Sequence, residues 1–193
     1  MKLLAFADVH ASTEALDALA KKAKQADVLV CAGDFTVFEE GIEMVLQRLD
    51  EMGKTVLLIH GNHEESSLVR QLCKLFKNIT YIHKKAHSFK GYVFVGHGGG
   101  GFALTDKSFE RFAKNVKLPK KAKIVFVTHQ PPYNTKLDYI WDHHGNKSYR
   151  AFVEKKQPIL AISGHLHETQ GKKDTVGESK LINPGPKGKI IEV

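Results

Sequence analysis

This chain of 193 residues contains 11 histidines, and several of them lie near an aspartate or an asparagine. These residue types can bind metal ions. Imidazole and carboxylate together suit Mn, Fe or Zn, whereas ligands that are all oxygen would favour Mg or Ca. Each short block alone is weak evidence, because an Asp or Asn at a strand end is often a turn former or a helix cap. Together they predict a metal site. The blocks are Asp8-Val9-His10, Gly33-Asp34, Gly61-Asn62-His63-Glu64, His129 and Gly164-His165-Leu166-His167.

Each of these five blocks directly follows a short apolar run, which we predict to be a β-strand. Longer segments with helical spacing alternate with the runs, and this alternation predicts an α/β fold whose strands are buried on both faces. Sites in open α/β sheets form at the carboxyl ends of the strands, so the five blocks should meet at one edge. The predicted strands are 3–7, 28–32, 56–60, 92–96, 124–128 and 159–163.

Five helices are predicted from capping residues and from the spacing of apolar residues. We place Leu68, Leu72, Leu75 and Phe76 on the buried face of the third helix. A hairpin is predicted around Lys90-Gly91, and short strands are predicted in the tail from Gly171 onward. With no repeat and no linker, we expect one domain over residues 1–193. The helices cover about 12–23, 40–52, 66–76, 105–115 and 148–156.

The composition is that of an ordinary soluble globular protein, with 42% hydrophobic and 26% charged residues. It excludes wholesale disorder, collagen-like repeats and coiled coil. The formal net charge of +8 comes mostly from scattered lysines, which are usually solvated surface. No apolar run approaches the roughly 20 residues that cross a bilayer, and no signal peptide fits before Asp8. Two cysteines suit a reducing cytosol, so we expect a cytoplasmic protein without a membrane partner.

The order of the blocks, D-x-H, GD, GNH[DE], H and GHxH, resembles that of the calcineurin-like metallophosphoesterase family. All five blocks are matched, between residues 8 and 167. The stretches 129–138, 145–158, 164–171 and 183–186 are similar to the small single-domain prokaryotic members. The resemblance implies a four-layer αββα sandwich, in which two mixed β-sheets are flanked by helices and a dinuclear metal site lies at the strand ends.

The resemblance also implies which residues bind metal. Two divalent ions are expected, with Mn favoured and Fe, Zn, Ni or Co as alternatives. Gly164 would let His165 and His167 turn in related directions. Seven ligands would be shared between the ions: Asp8, His10 and His167 at one, Asn62, His129 and His165 at the other, and Asp34 at both.

Hydrolysis of a phosphate ester is the chemistry that such a site would perform. Two ions about 3.5–4 Å apart can share a hydroxide and clamp the phosphoryl oxygens. His63 matches the family's general acid, which gives a proton to the leaving oxygen. Glu64, the next residue, is placed to orient His63.

Substrate contacts are harder to predict. His144 and Arg150, near the start of the last predicted helix, could grip a phosphate or a distal substrate group; a plain capped surface helix is the alternative. Tyr133 and Trp141 could form an aromatic wall for a base or an aryl group, unless they pack in the core. We interpret Gly98–Gly101 as a tight loop that lets backbone approach the site.

The sequence therefore predicts a metal-dependent phosphomonoesterase or phosphodiesterase acting on small organic or nucleotide substrates. One alternative is a nuclease, which the charge supports, but 193 residues leave little room for a capping domain and the lysines show no aromatic interleaving. Another is a non-catalytic scaffold like the retromer member of the same fold, which would have eroded ligands. Here every ligand position carries the expected type. The physiological substrate and the oligomeric state stay open.

Overall fold

The computed structural model describes residues 1–193, and their backbone forms thirteen β-strands and five α-helices. The strands are β1 (Lys2–Phe6), β2 (Val28–Ala32), β3 (Val56–Ile59), β4 (Ile79–Tyr81), β5 (Lys85–Phe89), β6 (Tyr92–His97), β7 (Lys123–Thr128), β8 (Tyr139–Ile140), β9 (Asp142–His143), β10 (Leu160–Ile162), β11 (Lys173–Val176), β12 (Ser179–Ile182) and β13 (Lys189–Glu192). The helices are α1 (Thr13–Ala23), α2 (Ile42–Asp50), α3 (Ser66–Leu72), α4 (Lys107–Asn115) and α5 (Lys147–Lys156). None of these helices is both long and apolar enough to cross a membrane.

Two mixed sheets form the centre of the fold. The first has the order β13-β1-β2-β3-β4, and only β13 is antiparallel to its neighbour. The second has the order β11-β12-β10-β7-β6-β5, with antiparallel pairing only at its two edge strands, β11 and β5. Strands β8 and β9 form a small separate hairpin.

Apolar side chains on alternating strand positions fill three buried layers. In β1, Leu3 and Ala5 lie in the layer between the two sheets, whereas Leu4 and Phe6 lie under the helices that cover the first sheet. Successive strand residues point to opposite faces, so a strand covered on both sides must be apolar throughout. A third layer packs α4 and α5 on the second sheet. The predicted four-layer αββα sandwich is therefore confirmed.

All six predicted strands and all five predicted helices are present, with ends that differ by a few residues. Strands β4, β8 and β9 were missed: Thr80 interrupts the apolar residues of β4, and β8 and β9 have only two residues each. The buried face of α3 was partly wrong. That helix tightens into a 3-10 turn after Leu72, so Val69 and Cys73 are buried while Leu75 is 75% exposed.

Three histidines that the sequence analysis did not single out, His60, His83 and His97, are buried near the carboxyl ends of β3, β4 and β6. Their ring centroids lie 4.6 Å (His60 to His83) and 4.9 Å (His83 to His97) apart. The Gly98 N–H donates to His83 Nδ1, and the Tyr81 hydroxyl contacts His60 Nδ1. Burial lowers the pKa of all three, to about 4 for His60 and His97 and about 2 for His83. They are neutral in the folded protein at neutral pH.

These buried histidines should make the fold acid-sensitive. An unfolded histidine has a pKa of about 6.5, so below that pH the unfolded chain binds protons that the folded chain excludes. Each group then reduces the free energy of unfolding by about 1.4 kcal/mol per pH unit until its folded pKa is reached. His83→Asn keeps an acceptor for the Gly98 N–H and removes one such group. Its stability should therefore fall less steeply than that of wild type between pH 6.5 and 4.5 in urea unfolding. Equal slopes would contradict the prediction.

Candidate metal centre

The first ligand group consists of Asp8, His10 and His167, whose ligand atoms all lie within 4.8 Å of one another. Asp8 and His10 follow β1, and His167 begins a 3-10 turn after β10. The Nε2 atoms of His10 and His167 are 3.1 Å apart. His10 Nδ1 lies 3.0 Å from the carbonyl oxygen of Thr36. Since a carbonyl only accepts, Nδ1 carries the proton and Nε2 presents its lone pair to the centre.

The second ligand group consists of Asp34, His129 and His165, again within 4.8 Å. His129 Nε2 lies 3.1 Å from Asp34 Oδ2 and 3.0 Å from Asn62 Oδ1. His129 Nδ1 faces the Ala32 carbonyl at 2.9 Å, a contact that joins the ends of β7 and β2 across the two sheets. The structure thus brings Asn62, predicted as a ligand of this group, to the same nitrogen.

Asp34 lies between the two groups. Its carboxylate belongs to the second group and also to a third one with His10 and His63, again within 4.8 Å. This position is compatible with the bridging role that the sequence predicts.

Strained backbone holds four of these side chains in place. Asp8, His10, Asp34 and His165 have φ values of 58°, 47°, 49° and 71°, in the left-handed region. Such conformations cost about 1–3 kcal/mol each and cluster at functional sites. Hydrogen bonds between the loops maintain them: the Asp8 N–H donates to the Gly33 carbonyl, the His10 N–H to the Asp34 carbonyl, and the His165 N–H to Asp8 Oδ1.

Two glycines allow the loops to approach each other this closely. A Cβ on Gly61 would collide with the Asp34 carboxylate. A Cβ on Gly164 would lie 2.7 Å from Asp8 Oδ2. Glycine therefore precedes Asn62 and His165 because a neighbouring ligand loop packs directly against the backbone.

Two buried polar atoms on the proposed ligands have no hydrogen-bond partner: Asp8 Oδ2 and His165 Nε2. A buried polar atom without a partner costs about 1–3 kcal/mol. One atom belongs to each ligand group, and both are donors of the kind that a divalent ion accepts. The residues present therefore fit a pair of divalent ions with mixed nitrogen and oxygen ligands.

Charge in the centre is concentrated on Asp34 and His129. Burial alone would raise the pKa of Asp34, but the hydrogen bond and charge of His129 lower it to about 2. Burial alone would lower the pKa of His129, yet the hydrogen bond and charge of Asp34 raise it to about 9. For His165, burial and the charge of His129 lower the pKa to about 4. Without an ion, the centre thus holds a carboxylate–imidazolium pair, and an ion that binds His129 Nε2 must displace its proton.

His63, the predicted general acid, lies beside the ligands and is open to solvent. Its Nε2 is 3.9 Å from Asp34 Oδ2, and its ring centroid is 5.0 Å from that of His10. Its side chain is 22% exposed. Its backbone N–H donates to Asp34 Oδ1, which fixes the position of the residue.

Glu64 holds the ligand loops together. Its side chain is 5% exposed and accepts hydrogen bonds from the N–H groups of Gly61, Asp34 and Thr36 and from the Thr36 hydroxyl, at 2.8–3.2 Å. The sequence analysis expected this carboxylate to orient His63. Its hydrogen bonds run instead to the loops after β2 and β3, so it positions Asp34.

The other predicted substrate residues lie further along the same face. Arg150 donates from Nη1 to the Tyr133 and Asn134 carbonyls and from Nε to Glu154, so its guanidinium fixes a loop. The Tyr133 ring packs beside His143, with a centroid distance of 5.5 Å. These contacts do not involve the ligand groups, and substrate binding by Arg150 and Tyr133 stays a prediction.

His144 reaches the centre only through another residue. Its Nε2 lies 3.2 Å from the Ile140 carbonyl, and its ring centroid is 6.0 Å from that of Phe102. Phe102 in turn lies 4.8 Å from the His165 ring. Trp141 is 94% exposed. The sequence analysis did not identify Phe102; an aromatic residue in a glycine-rich loop directly after a strand was the available signal.

Glu64→Gln should destabilise the fold and weaken metal binding. The amide NH₂ would replace an oxygen that faces backbone N–H donors, so we expect a loss of about 1–3 kcal/mol in the free energy of unfolding. Urea unfolding and calorimetric titration with Mn²⁺ measure the two effects, with the exposed Glu43→Gln as control. If stability and metal affinity stay at wild-type values and only hydrolysis is lost, Glu64 orients His63 instead.

Divalent ions should raise the melting temperature of metal-free protein, because an ion that binds only the folded state stabilises it by about 4 kcal/mol at a thousand times its Kd. Asp34→Asn should remove most of this increase, since Asp34 contacts both groups. His87→Asn, on the edge strand β5, should not. Thermal unfolding after EDTA treatment and metal analysis of the reloaded protein test this. An unchanged wild-type melting temperature would contradict the metal centre.

Known proteins are similar to this chain in sequence or in fold. MJ1162 of Methanocaldococcus jannaschii is 32% identical over an alignment of 206 positions, which covers 99% of this chain and 91% of that protein. Among solved structures, TT1561 of Thermus thermophilus has a TM-score of 0.78 at 18% identity, covering 95% of this chain and 88% of that one. A dimetal phosphatase from Danio rerio has a TM-score of 0.63 at 13% identity, covering 94% and 86%. At these identities the solved structures show the fold alone. The sequence model of the calcineurin-like phosphoesterases matches residues 1–169, and with it the chain belongs to that family.

Proposed function

We propose that this protein is a dinuclear metal-dependent phosphoesterase that hydrolyses small organic or nucleotide phosphate esters. The observation that carries the proposal is the pair of ligand groups linked by Asp34, each containing a buried atom without a partner. Membership of the family supports phosphoester hydrolysis and metal dependence. The similar Danio rerio structure, a dimetal phosphatase, supports a count of two ions.

Two divalent ions, when bound, would supply a nucleophile at neutral pH and neutralise charge on the phosphoryl oxygens. The seven proposed ligands include only two carboxylates, Asp8 and Asp34, so the loaded centre would attract an anionic ester. The mixture of imidazole and carboxylate supports Mn, with Fe, Zn, Ni or Co as alternatives. Asp34 lies close to histidines of both ligand groups, and its backbone N–H donates a hydrogen bond to Glu64.

His63 has the position that a proton donor to the leaving oxygen needs. It borders the ligands without belonging to the two proposed sets, and its ring is partly exposed. Its Nδ1 is buried and has no hydrogen-bond partner, whereas its Nε2 lies 3.9 Å from Asp34 Oδ2, so Nε2 is the nitrogen on the side of the centre. It can therefore exchange a proton with a group bound at the centre.

The proposal also includes a single domain and a cytoplasmic location. The last strand, β13, pairs with the first, β1, which supports a single domain over residues 1–193. Cys31 and Cys73 are both unpaired and buried, in keeping with a reducing, cytoplasmic environment.

Metal-loaded protein should hydrolyse bis-p-nitrophenyl phosphate or p-nitrophenyl phosphate, and His63→Gln should separate proton donation from metal binding. A general acid contributes about 10²–10⁴-fold, and more when the leaving group is a poor one. The loss in kcat should therefore be larger for phenyl phosphate than for p-nitrophenyl phosphate, with metal content unchanged.

The Asp34→Ala, His63→Ala double variant serves as the inactive reference, and His87→Asn as the matched histidine control. If wild type is no faster than the double variant, the enzyme proposal fails. If His63→Gln lowers kcat equally for both esters, His63 is not the proton donor.

A further inference from the structure

Two exposed phenylalanines border the metal centre. Phe38 and Phe102 are 77% and 71% exposed, whereas the other nine of the 11 phenylalanines are buried or half-buried. The Phe38 ring centroid lies 4.5 Å from that of His63, at an interplanar angle of 44°. The Phe102 ring centroid lies 4.8 Å from that of His165, at 53°. The only exposed phenylalanines of the chain thus both contact histidines of the centre.

The two rings belong to one site although they come from different sheets. Phe38 lies in the loop after β2 of the first sheet, and Phe102 in the loop after β6 of the second. His63 and His165, which they contact, each bring a nitrogen to within 4.8 Å of an Asp34 oxygen. A molecule held at the centre would therefore meet apolar rings contributed by both sheets.

The loop that carries Phe38 is a fixed, strained turn. Val37 and Glu40 pair across it, and Phe38 and Glu39 at its tip have φ values of 45° and 68°. Positive φ at both central residues is the geometry of a tight two-residue hairpin turn, and a bulky residue such as Phe38 is an outlier there. Glu39 Oε1 accepts the Glu65 N–H, and this hydrogen bond ties the turn to the loop that carries His63.

The loop that carries Phe102 is anchored on both sides of the ring. Before it, the Gly99 N–H donates to the His60 carbonyl, and Gly99–Gly101 all have positive φ. After it, the Ala103 carbonyl accepts from Gln130 Nε2 and Asn146 Nδ2. The exposed ring is therefore held next to His165 by contacts of its neighbours.

The chemistry of this border indicates what it recognises. Arg150, the cation predicted for substrate, is committed to loop carbonyls and Glu154. The rings in contact with His63 and His165 are those of Phe38 and Phe102, which are apolar and flat. The part of a bound ester beyond its phosphate would therefore contact aromatic faces. Aromatic faces stack on planar groups, whether an aryl ring or a nucleobase, and gain little from a thin alkyl chain.

We propose that Phe38 and Phe102 form an aromatic pair that selects phosphate esters carrying a planar aromatic group over esters carrying an aliphatic one. This inference rests on the proposed function, because it assigns the substrate class of the same centre. It replaces Tyr133 and Trp141, the residues that the sequence analysis suggested for an aromatic wall.

Binding of phosphonates, which the enzyme cannot hydrolyse, tests the pair without relying on turnover. Calorimetry on Mn²⁺-loaded protein compares phenylphosphonate with methylphosphonate, and a nucleoside phosphonate with the matching ribose phosphonate that lacks the base. Wild type should prefer the aromatic member of at least one couple by about tenfold, and each of Phe38→Leu and Phe102→Leu should reduce that preference about threefold to fivefold. If only the nucleoside phosphonate is preferred over its partner without the base, the pair recognises a nucleobase. If only phenylphosphonate is preferred over methylphosphonate, the pair recognises an aryl group.

Matched variants separate recognition from a merely structural role. Phe102→Tyr retains a ring and should keep the wild-type preference. Leu75→Ala, at an exposed apolar residue in the 3-10 turn after α3, should do the same. Equal affinity for both members of each couple in wild type, or an unchanged preference in both leucine variants, would overturn the aromatic pair and leave phosphoester hydrolysis standing. If the loaded protein hydrolyses no phosphate ester, the proposed function fails, and the phosphonate preference still decides the aromatic pair.

Discussion

The contact between Asp34 and His129 is the interaction on which the rest of the site depends. It joins the end of β2 in one sheet to the end of β7 in the other, with Oδ2 and Nε2 3.1 Å apart. His129 is fixed from behind by the Ala32 carbonyl, and Asp34 by the carboxylate of Glu64. Because each partner is held by a contact from a neighbouring loop, neither sheet end can shift without disturbing the ligands on the other.

Holding the ligand loops this close together lowers the stability of the fold. Left-handed φ values at Asp8 and Asp34, and buried atoms without partners on Asp8 and His165, all work against folding. The three apolar layers of the sandwich provide the compensating stability. Divalent ions would recover part of the cost locally, since they satisfy the atoms that the protein leaves without hydrogen bonds.

The fold and the meeting of the polar blocks at one edge could be predicted because both follow from local pattern: apolar runs give the strands, and the chain order places polar blocks at their carboxyl ends. The roles of these residues as metal ligands came from the family resemblance and stay a proposal. The function of Glu64 could not be predicted, because adjacency to His63 says nothing about which loop its side chain turns toward. That depends on where folding places the N–H groups of Asp34 and Thr36, which donate to it. Phe38 and Phe102 were missed for a related reason, since exposure of a loop residue is set by tertiary packing alone.

Histidine in this chain has two chemically distinct uses, and the count of 11 could not separate them. The carboxylates of Asp34 and Asp8 raise the pKa of His129 and so favour its protonated form. A metal ion that binds His129 must displace this proton. His60, His83 and His97 lie near the carboxyl ends of β3, β4 and β6, where burial keeps them neutral. A protonated layer there would repel the cations that the centre is built to hold, and charge on His97 or His129 already lowers the pKa of His60. Neutral histidines add no positive charge there, and the backbone carbonyl of His60 accepts a hydrogen bond from Gly99 in the loop that carries Phe102.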